Sequence, residues 1–216
     1  MTLNEIFDHL TYGELSQLSL TKDLDGSEGI SEEDRYKLVS HINMGLTVLH
    51  ERFFLREGRQ TVYVSPGVRS YTVNADDILK IEKVLNAAGD EIPINYGDEA
   101  KGIHTTSYNS FLVGSEVEIG SELTVIYRAN HPALTRRDSE REPHRVVVHL
   151  PRTHIEALIY FIASRVTNPV GFAIEGMHEG NNYYAKFERA CQVIENGGYK
   201  ITQQEEKPRI QRMGWV

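Results

Sequence analysis

The residues able to do chemistry are scattered, and each lacks the neighbours its chemistry requires. Nine histidines raise the question of a metal. His149 and His154 stand five apart with Pro151 between them. A zinc-protease helix needs two imidazoles on one turn beside a carboxylate base, and HLPRTH offers neither. These histidines read as surface or capping residues. The loop DLDGSEG, residues 23–29, opens like a calcium loop. Its Gly26 arrives too early, and Asp34 stands where the closing bidentate Glu belongs, so a solvated turn is the better reading. Ser19 and Lys22 spell Ser-x-x-Lys. The Ser-Asp-Asn and Lys-Thr-Gly elements that make this an acyl-transfer site are missing. Asp76 and Asp77 are adjacent, so on a strand they would face opposite ways; a turn or helix start suits them better. Cys191, the single cysteine, falls on an apolar helical face and reads as a small core residue. One thiol excludes an intrachain disulfide and a multi-cysteine zinc site. There is no glycine-rich phosphate loop and no nucleophile elbow. The expectation is a protein without catalytic residues, metal or cofactor.

Two features point instead to partners. Arg136, Arg137, Arg141 and Arg145 lie within ten residues, interleaved with Asp138, Glu140 and Glu142. Mixed charge of this kind is ordinary for a solvated loop, and it also suits an intersubunit or nucleic-acid-facing surface. The second feature is the C-terminal stretch. Ile201, Ile210, Met213, Trp215 and Val216 are set among Lys207, Arg209 and Arg212. Tryptophan and methionine are favoured anchors at the centre of interfaces. The formal charge of −8 gives no basic excess of the kind a free-standing nucleic-acid binder carries.

The elements that must hold these residues can be read from periodicity. The chain has 216 residues, enough for one core with a satellite, and 40% hydrophobic with 25% charged residues is globular composition. No stretch nears the roughly 20 apolar residues of a membrane span, and no signal peptide opens the chain. Leu3, Ile6, Phe7 and Leu10 repeat at helical spacing, with Gly13 as a break. Ser31 caps a helix whose stripe is Val39, Ile42, Leu46, Leu49 and Phe53, with Gly58 as its stop. From 60 to about 128, short runs rich in Val, Ile, Tyr and Thr alternate with turn clusters, which predicts a small antiparallel sheet of four to six strands. ILKIEKVL is ambiguous between helix and strand and is taken as a strand. Residues 129–149 read as a long loop. Pro151 opens a helix bearing Ile155, Leu158, Ile159, Ile162 and Val166, which Pro169 and Gly171 end. A last helix runs from about Glu179 to Asn196, with Tyr183, Phe187, Ala190, Cys191 and Ile194 inward and Gly197-Gly198 as its stop.

Helices at both ends of a chain can share a core only if the strands between form an inserted module. The predicted class is therefore α+β. A helical bundle takes residues 1–58 and 150–198, a β module with the arginine loop takes 59–149, and an extended arm takes 199–216.

The segment LPRTHIEALIYFIASRVTNPVG, followed by NNYYAKFERACQVIENGGY, resembles the C-terminal helix pair of tailed-bacteriophage head-to-tail adaptors. The early Leu-rich helix, the long helix opening Ser-Glu-Glu-Asp, and ELTVIYRANHPAL before the helix pair are similar too. About 50 residues carry the likeness in detail. The resemblance implies a structural virion protein, made in the host cytoplasm. It would form a ring of about twelve copies beneath the portal, around the DNA channel. Its partners would be the portal, tail or nozzle proteins, further copies of itself, and DNA that passes without sequence-specific binding. The arm residues Ile201, Lys207, Arg209, Ile210, Arg212, Met213, Trp215 and Val216 would dock on the portal. Two other readings stay open: a different neck or tail-completion protein, and a small enzyme with an unrecognised site.

Overall fold

A computed structural model describes residues 1–16, 30–95, 100–140, 142–167 and 179–197. Ser19, Lys22, the loop at 23–29, Arg141, Pro169, Gly171, Gly198 and the arm at 199–216 lie outside the described residues.

The chain is α+β. Five α-helices and seven strands are described: α1 Leu3–His9, α2 Glu32–Arg52, α3 Arg136–Glu140, α4 Ile155–Thr167 and α5 Glu179–Asn196, with β1 Glu57–Tyr63, β2 Ser70–Thr72, β3 Ile78–Leu85, β4 Glu91–Ile92, β5 Ile103–Thr105, β6 Ser110–Val113 and β7 Glu122–Ala129. Helix α1 starts on a capping box. Thr2 Oγ1 accepts from the Glu5 N–H at 3.2 Å, and the Glu5 carboxylate accepts from the Thr2 N–H at 2.7 Å. The helix then widens into a π-turn, Leu10–Glu14, where Gly13 leaves helical geometry. Ser31 caps α2 as its hydroxyl accepts from the Asp34 N–H at 3.2 Å. Lys37 and Ser31 both hydrogen-bond the Asp34 carboxylate and hold its pKa below the ordinary value.

Leu3, Ile6, Phe7, Leu10, Ile42, Leu46, Leu49, Leu158, Phe161, Ile162, Phe187 and Cys191 all belong to one buried cluster, so both ends of the chain share a core. Two details let the helices close. At Gly45, a Cβ would come within 2.7 Å of Leu158 Cδ1 and 2.9 Å of Phe161 Cδ1, so a larger residue would force those side chains of α4 to shift. Arg52 reaches from α2 to Glu188 at 2.8 Å and Glu195 at 2.9 Å on α5, and these carboxylates raise its pKa further.

Helix α2 does not run to Gly58. It stops at Arg52, where Phe53 turns extended at φ −117° and ψ 140° while its ring stays buried. Gly58 lies inside β1 instead, because the Tyr127 ring of the paired strand covers it. A Cβ there would fall 2.2 Å from that ring.

The strands form two sheets rather than one. The order is β1-β7-β3-β4 in the larger and β2-β6-β5 in the smaller, with antiparallel pairing throughout both. They enclose a second core of Val64, Val73, Ile78, Ile81, Val84, Ile103, Phe111, Leu123, Val125 and Tyr127. β3 explains its own ambiguity. Its buried residues Ile78, Ile81 and Val84 are three apart, as on a helix, because two irregularities against β7 each insert one residue on the β3 side.

The stretch after β7 is more than a loop. It contains α3, capped by Thr135, and lays Leu134, Val146, Val148 and Leu150 on the helical core. It also bonds the N-terminus: Leu3 N–H donates to Val146 O at 2.9 Å, and Val148 N–H donates to Met1 O at 2.8 Å. Pro151 is not in the first turn of α4. It sits just before a 3₁₀ turn, Arg152–His154, that leads into that helix.

Candidate interaction surface

The residues weighed for chemistry do not converge. Cys191 is buried on the inner face of α5, and burial pushes its thiol up to about 11. Asp76 and Asp77 occupy the turn before β3. Asp77 is used structurally: Arg56 pairs with it at 2.9 Å, and the Tyr127 hydroxyl donates to it at 3.3 Å. His149 is exposed, whereas His154 is buried with its ring edge-on to Phe53 at 4.7 Å. The surface or capping reading thus fails for His154, because the 3₁₀ turn rotates its ring into the core. Among the described residues no group of three or more His, Cys, Asp or Glu side chains is arranged to hold a metal. No described helix is long and apolar enough to cross a membrane.

A buried polar cluster that the sequence reading missed joins the two cores. His50 continues the α2 stripe one turn after Leu46 and is buried; its Nδ1 donates to Leu46 O at 2.8 Å. The His131 ring lies 5.6 Å from it. His131 Nδ1 is 2.8 Å from Pro132 O, and Nε2 is 3.1 Å from Asn43 O. Asn43 clamps the stretch after β7 by donating to Leu134 O and accepting from its N–H, both at 2.9 Å. Asn130 donates to Thr47 Oγ1 at 3.1 Å. Burial lowers the pKa of His50 to about 4, although its bond to Leu46 opposes this and His131 and Arg56 add to it. Burial also lowers His131 and His154. Desolvation holds the His131 pKa below its ordinary value, against the two carbonyls at its nitrogens that favour the cation. This junction fixes the β module to the bundle. Its sequence signal was the Leu46, Leu49, His50, Phe53 spacing, which puts His50 on the buried face.

Arg136, Arg137 and Arg145 are exposed, and their fates differ. Arg136 pairs with Glu140 one turn along α3 and lies 5.0 Å over the Tyr36 ring of α2. Glu140 raises its pKa. Arg145 pairs with Glu142 at 3.0 Å. Asp138 is occupied by the Thr135 N–H and hydroxyl, at 2.6 and 2.7 Å. Arg137 has no acidic partner among the described residues. The structure therefore brings Arg136 and Arg137 onto one helix beside α2 and sets Arg145 on the following turn.

No protein-family model matches this sequence, and neither does any curated protein. Solved structures do match. One is a chain from the neck of an empty gene transfer agent particle, at 16% identity over 88% of each chain with a TM-score of 0.31. Another is from the virion of a native gene transfer agent particle, at 15% identity over 88% of each chain with a TM-score of 0.32. A third, from the neck of the native particle, has 13% identity over 74% of this chain and 85% of that one, with a TM-score of 0.27.

Proposed function

We propose that the chain is a structural subunit of a phage-like virion neck, a head-to-tail adaptor that assembles as a ring beneath the portal and surrounds the DNA path. The observation that carries this reading is a single helical core closed by both halves of the chain, with the β module inserted between them. That is the element order on which the sequence resembles head-to-tail adaptors. The polar junction at His50, His131, Asn43 and Asn130 suits such a part, since it holds the module rigidly against the bundle. Arg136, Arg137, Arg141 and Arg145 then belong to a subunit interface or channel surface. Residues 199–216 dock on the portal, led by Trp215.

The test is a portal pull-down followed by imaging of the complex. The expected product is a cyclic assembly on the portal. Deleting 208–216 should weaken capture while leaving the melting temperature nearly unchanged. Trp215→Ala should do much of the same, since losing such an anchor costs about 2 kcal/mol or more. Failure to bind portal across a wide concentration range would overturn the reading.

A further inference from the structure

Two exposed patches on this molecule are complementary to each other, and neither is covered by the other described residues. The first is on α2. Tyr36, Ser40 and Met44 are four residues apart, so they form one stripe, and all three face solvent. Helices of a soluble protein normally turn such a stripe inward. Here the inward face is already used by Val39, Ile42, Leu46 and Leu49. Beside the stripe lies α3, which brings the Arg136 guanidinium over Tyr36 and leaves Arg137 without an acidic partner among the described residues. The patch has an apolar centre and a cationic margin.

The second patch is the tip of the β module, at the end of β1 and β7 farthest from α2. β1 begins five residues after α2 ends, at Glu57, and reaches the tip at Tyr63, opposite Glu122 of β7. The loop at 114–121 closes on the same end, where Val64 N–H donates to Ser121 O at 3.0 Å and Gly120 N–H donates to Val64 O at 2.7 Å. Tyr63 is 62% exposed and Ile119 is 63% exposed, with Val68 nearby on the adjoining turn. Glu118 and Glu122 flank them, both exposed and without a cation among the described residues. The tip has an apolar centre and an anionic margin. The module behind it is acidic as well, with eleven carboxylates against six Lys and Arg in residues 57–129.

We infer that the α2–α3 patch of one copy receives the β-module tip of the next, with Tyr36 and Met44 packing on Ile119 and Tyr63 and Arg137 facing Glu118 and Glu122. The two patches differ, so the contact is head-to-tail, and such contacts propagate into a ring or a filament rather than stopping at a dimer. Opposite charge at the margins sets the orientation and the encounter rate, while the apolar centres exclude water. The pairing rests on these two surfaces; its closure into a ring rests on the neck-protein reading.

The single cysteine makes the test direct. Cys191 is buried, so an introduced surface cysteine is the reactive thiol. Met44→Cys protein and Ile119→Cys protein are mixed at high concentration under mild oxidation, and the disulfide-linked products are separated by mass. The expected result is a mixed dimer well above the chance proportion. Adding Arg137→Glu to the Met44→Cys protein should cut that product about fivefold, and Glu118→Arg in the partner should restore it. Products in the chance ratio, or a yield indifferent to both charge reversals, would overturn the contact. Portal capture of the unmodified protein is read separately, so a failed cross-link with intact capture removes this contact and leaves the neck reading standing.

Discussion

The junction histidines make acid pH a sharp test of the structure. His50 is only 1% exposed, and burial takes its pKa from 6.5 to about 4. The unfolded chain therefore binds a proton near pH 6.5 that the folded chain refuses until pH 4. Stability from the neutral, buried ring is complete above pH 6.5 and is lost as pH falls through about 4. At ~1.4 kcal/mol per pKa unit, His50 alone accounts for about 3 kcal/mol across that window. Domains of ordinary stability hold roughly 5–15 kcal/mol in total, so this is a large share. His131 and His154 shift in the same direction and add to it. The assay is urea unfolding at intervals between pH 7 and pH 4, comparing the parent with His50→Leu. Carboxylates titrate in both proteins, so the difference between the curves isolates the ring. His50→Leu should lose much less stability on acidification, with the gap reaching about 3 kcal/mol near pH 4. Parallel curves would refute the buried neutral histidine.

Three further outcomes test the packing. Leu46→Ala or Leu158→Ala should destabilise by roughly 2–5 kcal/mol in chemical unfolding, since both side chains are fully buried between α2 and α4. Gly58→Ala should cost about 1–3 kcal/mol by the same measurement, because the added methyl meets a Tyr127 ring that is tied to Asp77 and has little room to move. The Cys191 thiol, raised to about 11 and buried, should resist a thiol reagent at pH 8 in the folded protein and react quickly in denaturant.

Much of the fold was legible because periodicity survives translation into structure. The α2 stripe, the inner face of α5 and the Ser31 cap follow from spacing and residue type alone. The misreadings have local causes. Arg56, Glu57 and Gly58 look like a helix end, but the glycine answers to an aromatic ring some 70 residues later in the chain. β3 imitates a helix because its irregularities convert an alternating strand into a three-residue spacing. Splitting the strands into two sheets depends on short pairings such as β2 with β6, only three residues long, which carry almost no sequence signal. The stretch after β7 read as a loop because its apolar residues Leu134, Val146, Val148 and Leu150 have no period; each contacts the core from an irregular backbone.

The candidate interaction surface was legible in composition and illegible in detail, and the reason is electrostatic. In sequence, Arg136, Arg137 and Arg145 are equivalent members of one mixed-charge run. In the folded chain the helical spacing of α3 gives Arg136 to Glu140, and the following turn gives Arg145 to Glu142. A charge already paired at the surface has little left to offer a partner, whereas an unpaired one keeps its full field. Asp138 could have neutralised Arg137, but Thr135 claims its carboxylate to start the helix. The helix cap therefore does two things at once. It holds α3 against α2, where Arg136 covers Tyr36, and it withholds the nearest carboxylate from the next arginine. The proposed contact needs both a fixed frame and an unsatisfied charge, and Thr135 contributes to the two by capping α3 and holding Asp138.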